Sequence, residues 1–318
     1  MAFGFETTGD EVVAAFRDRV KNKTFVITGP SWESIGSETA IALAKGSPSM
    51  MVLLGRDMEK IRPVMDKIHE VNPEIVTKFV QIHLDSFKSV RHAARQILKD
   101  NSIARIHVLI NNAGVMACPY SKTEDGIERQ FATNHVGHFL LTNLLMPKIL
   151  AASPEARVVN VSSYGNVLSN VLNDPSFKDG KVYVAFLSYG QSKTANVLMA
   201  VGLNKRLQGK GLKAFALCPG SVPSNLRRYL DQDTMKEGIE IISKSAAEMP
   251  PRKTPQQGCA TTLRAAIDPN LTVDKSIFLS DAQVTSSPKL VASYSLDQTN
   301  ADRVWNLSEK IVGERFRY

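Results

Sequence analysis

Apolar residues in this chain fall into short continuous runs separated by stretches of helical spacing, and the alternation repeats almost to the end. The runs Lys23–Thr28, Met50–Leu54, Lys78–Leu84, Ile106–Ile110, Arg157–Val161, Lys213–Leu217 and Ser276–Ser280 are of strand length. Between them, Gly36–Lys45, Arg56–Val71, Ser89–Leu98, Phe131–Leu150 and Tyr189–Leu207 read as helices, the second closed by Asn72-Pro73. Strands that are apolar at consecutive positions are buried on both faces, as in a parallel sheet. The pattern therefore predicts an α/β fold: a single Rossmann-type doubly wound parallel sheet of about seven strands with helices on both faces. No repeat or linker divides the chain, so residues 1–318 read as one dinucleotide-binding and catalytic domain with its core at about 22–283.

Two regions break the rhythm. Tyr164–Leu187 is rich in Asn, Asp, Pro and Gly and reads as a long surface loop. Residues 221–254 follow Pro-Gly with mixed helical character and two prolines at 250–251, which suits a substrate lid. Residues 284–318 form a C-terminal extension, polar and aromatic, expected either to close the substrate cleft or to serve a homo-oligomer contact.

Composition narrows the class without naming it. Hydrophobic residues make up 43% and charged residues 22%, as in ordinary soluble proteins. The longest apolar runs are far too short to span a membrane, and the first residues lack the basic and apolar regions of a secretory signal. Cys118, Cys218 and Cys259 are odd in number and widely spaced, so a reducing, cytoplasmic setting is expected. A net charge of +8 could point to nucleic acid, but the basic residues are dispersed and no aromatic-interleaved stripe appears. A mild preference for anionic small ligands is the reading that remains.

The candidate chemistry begins at ITGPSWESIGSETA, residues 27–40. Gly29 and Gly36 can supply the turn and close packing of a phosphate loop, with Ile35 opening a helix whose N-terminus favours an anion. Ser31 and Ser34 offer hydroxyls where a middle glycine is usual, and the stretch is one residue long for the motif. After the second strand comes Gly55-Arg56-Asp57. No acidic residue stands at the strand end to accept from a ribose 2′-hydroxyl, while Arg56 suits a 2′-phosphate, so NADP(H) is favoured over NAD(H). Asp57 opposes that reading.

Further along, Tyr189 and Lys193 lie four apart on one helix face. The ordered set Thr28-Gly29…Gly36, Leu84-Asp85, Asn111-Asn112-Ala113-Gly114, Asn134, Ser163, Tyr189-x-x-x-Lys193 and Pro219-Gly220 resembles the short-chain dehydrogenase/reductase superfamily. The likeness is to its retinol-dehydrogenase-like branch, and the long, glycine-poor loop is similar to that of fungal-looking members. The resemblance implies a catalytic row of Asn134, Ser163, Tyr189 and Lys193. Ser163 would hold the substrate oxygen, with Ser162 as the alternative, and Asn134 would anchor a water leading from the lysine to solvent. It also implies cofactor contacts from Asp85 at the adenine, from Asn111, Ala113 and Gly114 at the adenosine ribose, and from Pro219, Gly220, Val222 and Ser224 at the carboxamide. Lys193 would bond the nicotinamide ribose.

The residue types suit that chemistry independently. A free phenol, with a pKa of about 10, is a poor base at neutral pH. A neighbouring ammonium and a positively charged nicotinamide would favour the phenolate. A shift of about three units corresponds to roughly 4 kcal/mol. Tyr189 is thus the candidate general acid/base. His135 and His138 lack metal-ligand companions and read as structural, and no metal is expected. Val115, Met116, Ala117, Leu168, Val171, Leu172 and Leu226 flank the centre and point to an apolar small-molecule carbonyl or alcohol. The favoured function is an NADP(H)-dependent reductase of a biosynthetic pathway. The alternative, prompted by the altered loop, is a regulatory or scaffold protein of the same fold that binds a dinucleotide without turnover.

Overall fold

The structure, a computed structural model, describes residues 2–245, 251–274 and 276–318. A short helix α1 (Gly9–Ala15), capped by Thr8, precedes β1 (Thr24–Thr28). Next come α2 (Ile35–Ala44), β2 (Met50–Gly55), α3 (Arg62–Val71), β3 (Val76–Gln81), α4 (Phe87–Lys99) and β4 (Val108–Asn111). A single turn α5 (Arg129–Phe131) runs through a π-helical turn, Ala132–Val136, into α6 (Gly137–Leu150). Then follow β5 (Arg157–Val161), α7 (Ala185–Arg206), β6 (Lys213–Cys218), α8 (Gln232–Ser243) and α9 (Pro255–Ile267). The chain closes with β7 (Phe278–Ser280), β8 (Gln283–Val284), α10 (Ser293–Leu296) and α11 (Gln298–Val312).

Among the described residues the strands form one sheet in the order β3-β2-β1-β4-β5-β6-β7-β8, parallel except for the β7–β8 pair. The two-residue β8 is an addition to the seven expected strands; its pattern is too short to stand out from the loop around it. Along β1 and β2, successive side chains enter opposite faces. Phe25, Ile27, Met51 and Leu53 pack under α1, α2 and α9, while Val26, Val52 and Leu54 pack toward α4, α6 and α7. Both faces are therefore apolar, which is why the runs read as continuous.

The order reverses between β1 and β4. In such a sheet the crevice beyond the strand C-termini at that point is where ligands bind, and β1, β4 and β5 all end there. α11 was not foreseen as a helix. It packs along α7, with Trp305 against Phe139 and under Arg206, and Tyr318 hydrogen-bonds Asn143. No helix among the described residues is long and apolar enough to cross a membrane.

The seat of α6 is tight. A Cβ added at Gly137 would run into the carbonyl oxygen of Leu84, immediately after β3. Backbone cannot give way as a side chain can, so Gly137→Ala should destabilise the protein by about 3 kcal/mol, read as a lowered midpoint in urea unfolding.

Candidate active site

The cleft beyond the strand ends has a volume of about 460 Å³. Its base is organised by Thr28, the last residue of β1. The Thr28 hydroxyl accepts the backbone N–H groups of Asn112 (2.9 Å) and Ala113 (3.0 Å), and it lies 2.9 Å from His138 Nε2. His138 Nδ1 lies 2.9 Å from the Asn134 carbonyl, which can only accept, so Nδ1 carries the proton and Nε2 accepts from Thr28. Burial pushes His138 down to about 4, in keeping with this neutral ring. The histidine is structural, and no cluster of metal-binding side chains occurs among the described residues.

Asn134 lies in the π-turn, a device frequent at functional sites. The buried Asn134 side chain accepts from Val115 N (2.8 Å) and donates to Val115 O and Ser192 Oγ (both 2.9 Å). It thereby ties the end of β4 to α7. Its amide is fully committed to this bracing, and it is the carbonyl that faces the histidine.

On α7, Tyr189 and Lys193 are both buried and both line the cleft. The Tyr189 hydroxyl hydrogen-bonds Ser163, and Ser163 Oγ also accepts from Gly165 N at 3.1 Å. Ser162 is committed elsewhere: its hydroxyl donates to the Lys193 carbonyl at 2.7 Å. Of the two serines, then, Ser163 is the one beside the phenol. Lys193 Nζ donates to Val161 O at 3.1 Å and sits 5.5 Å from the centre of the Tyr189 ring.

The expectation that Lys193 depresses the Tyr189 pKa needs correction for the protein by itself. Burial raises the phenol well above its ordinary value, with the Ser163 hydrogen bond opposing, and burial drives Lys193 down to about 8. Desolvation dominates at both groups because each charged form leaves water on burial.

At the other end, Gly29 has φ +67°, and a Cβ there would lie 2.8 Å from Ala113 Cβ; a Cβ at Gly36 would lie 2.5 Å from Asn112 Nδ2. These two glycines let the loop lie against the end of β4, a cradle that any side chain would fill. The extra residue is absorbed in an outward turn, with Glu33 at φ +59° and Trp32 N bonded to Lys60 O. Ser34, expected as a phosphate donor, is also the N-cap of α2: its hydroxyl accepts from Ser37 N, and Ser37 Oγ accepts from Ser34 N in return. Ser31, Ser34 and the first turn of α2 face the cleft.

Arg56 lines the cleft, and its guanidinium has no hydrogen bond or ion pair among the described residues. The competing carboxylate of Asp57 turns back to accept from Glu59 N at 3.0 Å. This donor set, a glycine cradle at a helix N-terminus with a free guanidinium beside it, fits a nicotinamide dinucleotide.

Ile35, Asp85, Ala113, Gly114, Pro219, Gly220, Val222 and Ser224 also lie on the cleft wall. Asn111 does not. Its side chain points into the α6 layer, where Nδ2 donates to Thr142 Oγ1 and Asn160 Oδ1 (both 2.9 Å), and Asn112 forms the wall in its place. Strand parity sends neighbouring side chains to opposite sides. Of the apolar residues expected around the centre, Val115, Met116, Leu168 and Leu226 line the cleft, whereas Ala117 and Val171 are core and Leu172 is exposed.

Several lining groups went unforeseen: Arg129, Phe186, and the α8 face of Met235, Ile239 and Ile242, whose helical spacing was the available signal. Lys253 supports the wall from behind, with its stem beneath Gly220 and Nζ paired to Asp281 at 2.6 Å. Residues 246–250 of the expected lid lie outside the described residues. The C-terminal extension does not close the cleft. It buttresses Ser163 from behind: Asn166 Nδ2 donates to Ser163 O and Leu290 O, and its Oδ1 accepts from Ala292 N.

A family model for the short chain dehydrogenases matches residues 23–235. The chain is 37% identical over 308 residues to the short-chain dehydrogenase/reductase prx1 of Penicillium roqueforti, covering 93% of this chain and 86% of that protein. It is 36% identical to human retinol dehydrogenase 11 over 297 residues, covering 93% and 87% respectively. Among solved structures, a Mycobacterium paratuberculosis protein superposes with a TM-score of 0.68 at 28% identity, covering 94% of this chain and 96% of that one.

Buried Lys193 makes stability depend on pH. Its folded pKa of about 8 lies below the unfolded value of 10.5, so the unfolded chain binds more protons between the two. The wild type should therefore gain stability relative to Lys193→Met as pH rises from about 8 to 10, a window below the phenol's own titration. Paired thermal melts of the two proteins across that range check the sign.

Proposed function

The chain belongs to the short-chain dehydrogenase/reductase superfamily, in its retinol-dehydrogenase-like branch, and is an oxidoreductase; on that premise we propose that it reduces a carbonyl on an apolar small molecule with NADPH. The observation that carries this reading is the convergence of Tyr189, Ser163 and Lys193 on one end of a cleft whose other end presents the glycine cradle and Arg56. When bound, the nicotinamide would supply hydride to the carbonyl carbon.

The chain's own residues handle the oxygen. Ser163 is placed to donate a hydrogen bond to it, and Tyr189 to give it the proton that completes the alcohol. Burial keeps the phenol protonated at neutral pH, which is the form reduction requires and supports that direction. Lys193, beside the phenol, would hold the ribose and help return a proton to Tyr189 after each turnover. The apolar wall of Met116, Leu168, Phe186 and Leu226 suits an apolar substrate, and the similarity to proteins named retinol dehydrogenase supports the same class. Arg56, free and on the wall, supports NADP(H) over NAD(H). Three buried free cysteines are in keeping with a reducing cytoplasm and a role in a biosynthetic route there. Nothing in the site favours a dinucleotide-binding scaffold without turnover.

Tyr189→Phe should lower kcat by at least about 100-fold while NADPH still binds, as followed by cofactor fluorescence. A variant that turns over carbonyls at the wild-type rate overturns the assignment. Arg56→Ala should weaken NADPH by about tenfold or more, equivalent to roughly 1.5–3 kcal/mol for a charged hydrogen bond, with little effect on NADH. Equal losses for both cofactors would move the 2′-phosphate site elsewhere.

A further inference from the structure

The substrate arm of the cleft holds a cation that the reaction does not use. Arg129 lines the cleft, yet its guanidinium makes no hydrogen bond or ion pair among the described residues, and its Nε is shielded from solvent without a partner. The adjacent carboxylate does not neutralise it. Glu128 turns away to cap the chain, accepting from Gln130 N (2.8 Å) and Phe131 N (2.7 Å), with the Tyr183 hydroxyl at 3.4 Å.

The position of Arg129 is fixed by its neighbour. Gln130 accepts from Ala117 N and donates to the Ala185 carbonyl, one turn before Tyr189 on α7. Arg129 therefore stands by the catalytic end of the cleft. Arg228, from the segment between β6 and α8, lines the same cleft. Around them the wall is apolar: Met116, Leu168, Phe186, Leu226, Met235 and Ile239. The one carboxylate on the wall among the described residues is Asp85, which follows edge strand β3, across β2, β1 and β4 from the catalytic strand β5. A half-buried guanidinium whose Nε is shielded and that has no counter-ion gains from a ligand that provides one.

Resting on the reading of the site as a carbonyl reductase, we propose that the substrate is an apolar molecule carrying a carboxylate, and that Arg129 binds that carboxylate and sets specificity for it. The planar guanidinium can meet both carboxylate oxygens in a fork, while the apolar wall takes the body of the molecule and the carbonyl reaches Tyr189 and Ser163. Arg228 adds attraction at the mouth.

The test compares an apolar keto or aldehyde acid with its methyl ester, using NADPH and the full-length protein. The wild type should favour the acid by about 100-fold in kcat/KM, in line with the loss of a buried charge pair. In Arg129→Met the ratio should fall toward one, through KM for the acid, and in Arg129→Lys it should be intermediate. A wild-type ratio near one, a ratio unchanged in Arg129→Met, or an Arg129→Met protein that loses NADPH affinity overturns the proposal. The first two leave the reductase reading intact, because the ester still reports turnover. If neither compound is reduced, the reductase reading fails, and calorimetric titration with the acid then decides this one. Binding by wild type and not by Arg129→Met upholds it, and no binding by wild type ends it.

Discussion

One hydrogen-bonded chain holds the site in register: Thr28 hydroxyl to His138, and His138 to the Asn134 carbonyl, with the N–H groups of Asn112 and Ala113 closing on Thr28. Three elements meet through it. β1 leads into the glycine cradle, β4 into the Asn112–Ala113 wall of the cleft, and the π-turn before α6 carries Asn134, which braces α7. A side chain replacing the histidine would have to accept at one end and donate at the other across the same span, and among the neutral rings only imidazole does so. The polar groups are buried, so each is costly if left unpaired, and the network is correspondingly specific. The glycine-poor loop is tolerable in this setting because its ends, not its length, are what the network fixes.

Burial in the same region governs the reactive groups. Taking Tyr189 and Lys193 out of water together weakens the charged form of each, so the protein alone stores an acid and a partly neutral amine rather than a phenolate–ammonium pair. The chemistry of the pair thus depends on what fills the cleft, and the fold contributes by excluding solvent and holding distance. Met235, Ile239 and Ile242 of α8 add an apolar face to the same cleft.

Much of this was legible in the sequence, for identifiable reasons. Tyr189 and Lys193 sit at fixed helical spacing, and Ser163 and the glycines sit at strand ends, where an α/β sheet collects its ligands. The strand pattern survived because both faces of the sheet are covered. Asn111 and Asn112 were confused because an apolar run carries no parity, and only the pairing decides which of two neighbours faces the cleft. The capping role of Ser34 did not show in the sequence, because a hydroxyl at a helix start serves the cap as readily as a ligand. Arg129 was invisible, since nothing in Glu128-Arg129-Gln130 distinguishes a solvated pair from one whose carboxylate is drawn into backbone capping. α11 was missed because its apolar stripe is narrow and its partner, α7, lies far away in the chain.

The support of Ser163 by the segment around Leu290–Ser295 has a consequence for how the molecule comes together. The residues proposed to carry the chemistry all precede residue 200, and the loop carrying Ser163 is held locally by Thr194 of α7, but its distant support comes only when Asn166 finds Leu290 and Ala292. Such a distant closure is entropically late. A nascent chain would therefore possess its complete reactive roster while still lacking a rigid oxygen-binding corner, and competence would arrive as a final, cooperative event rather than by degrees.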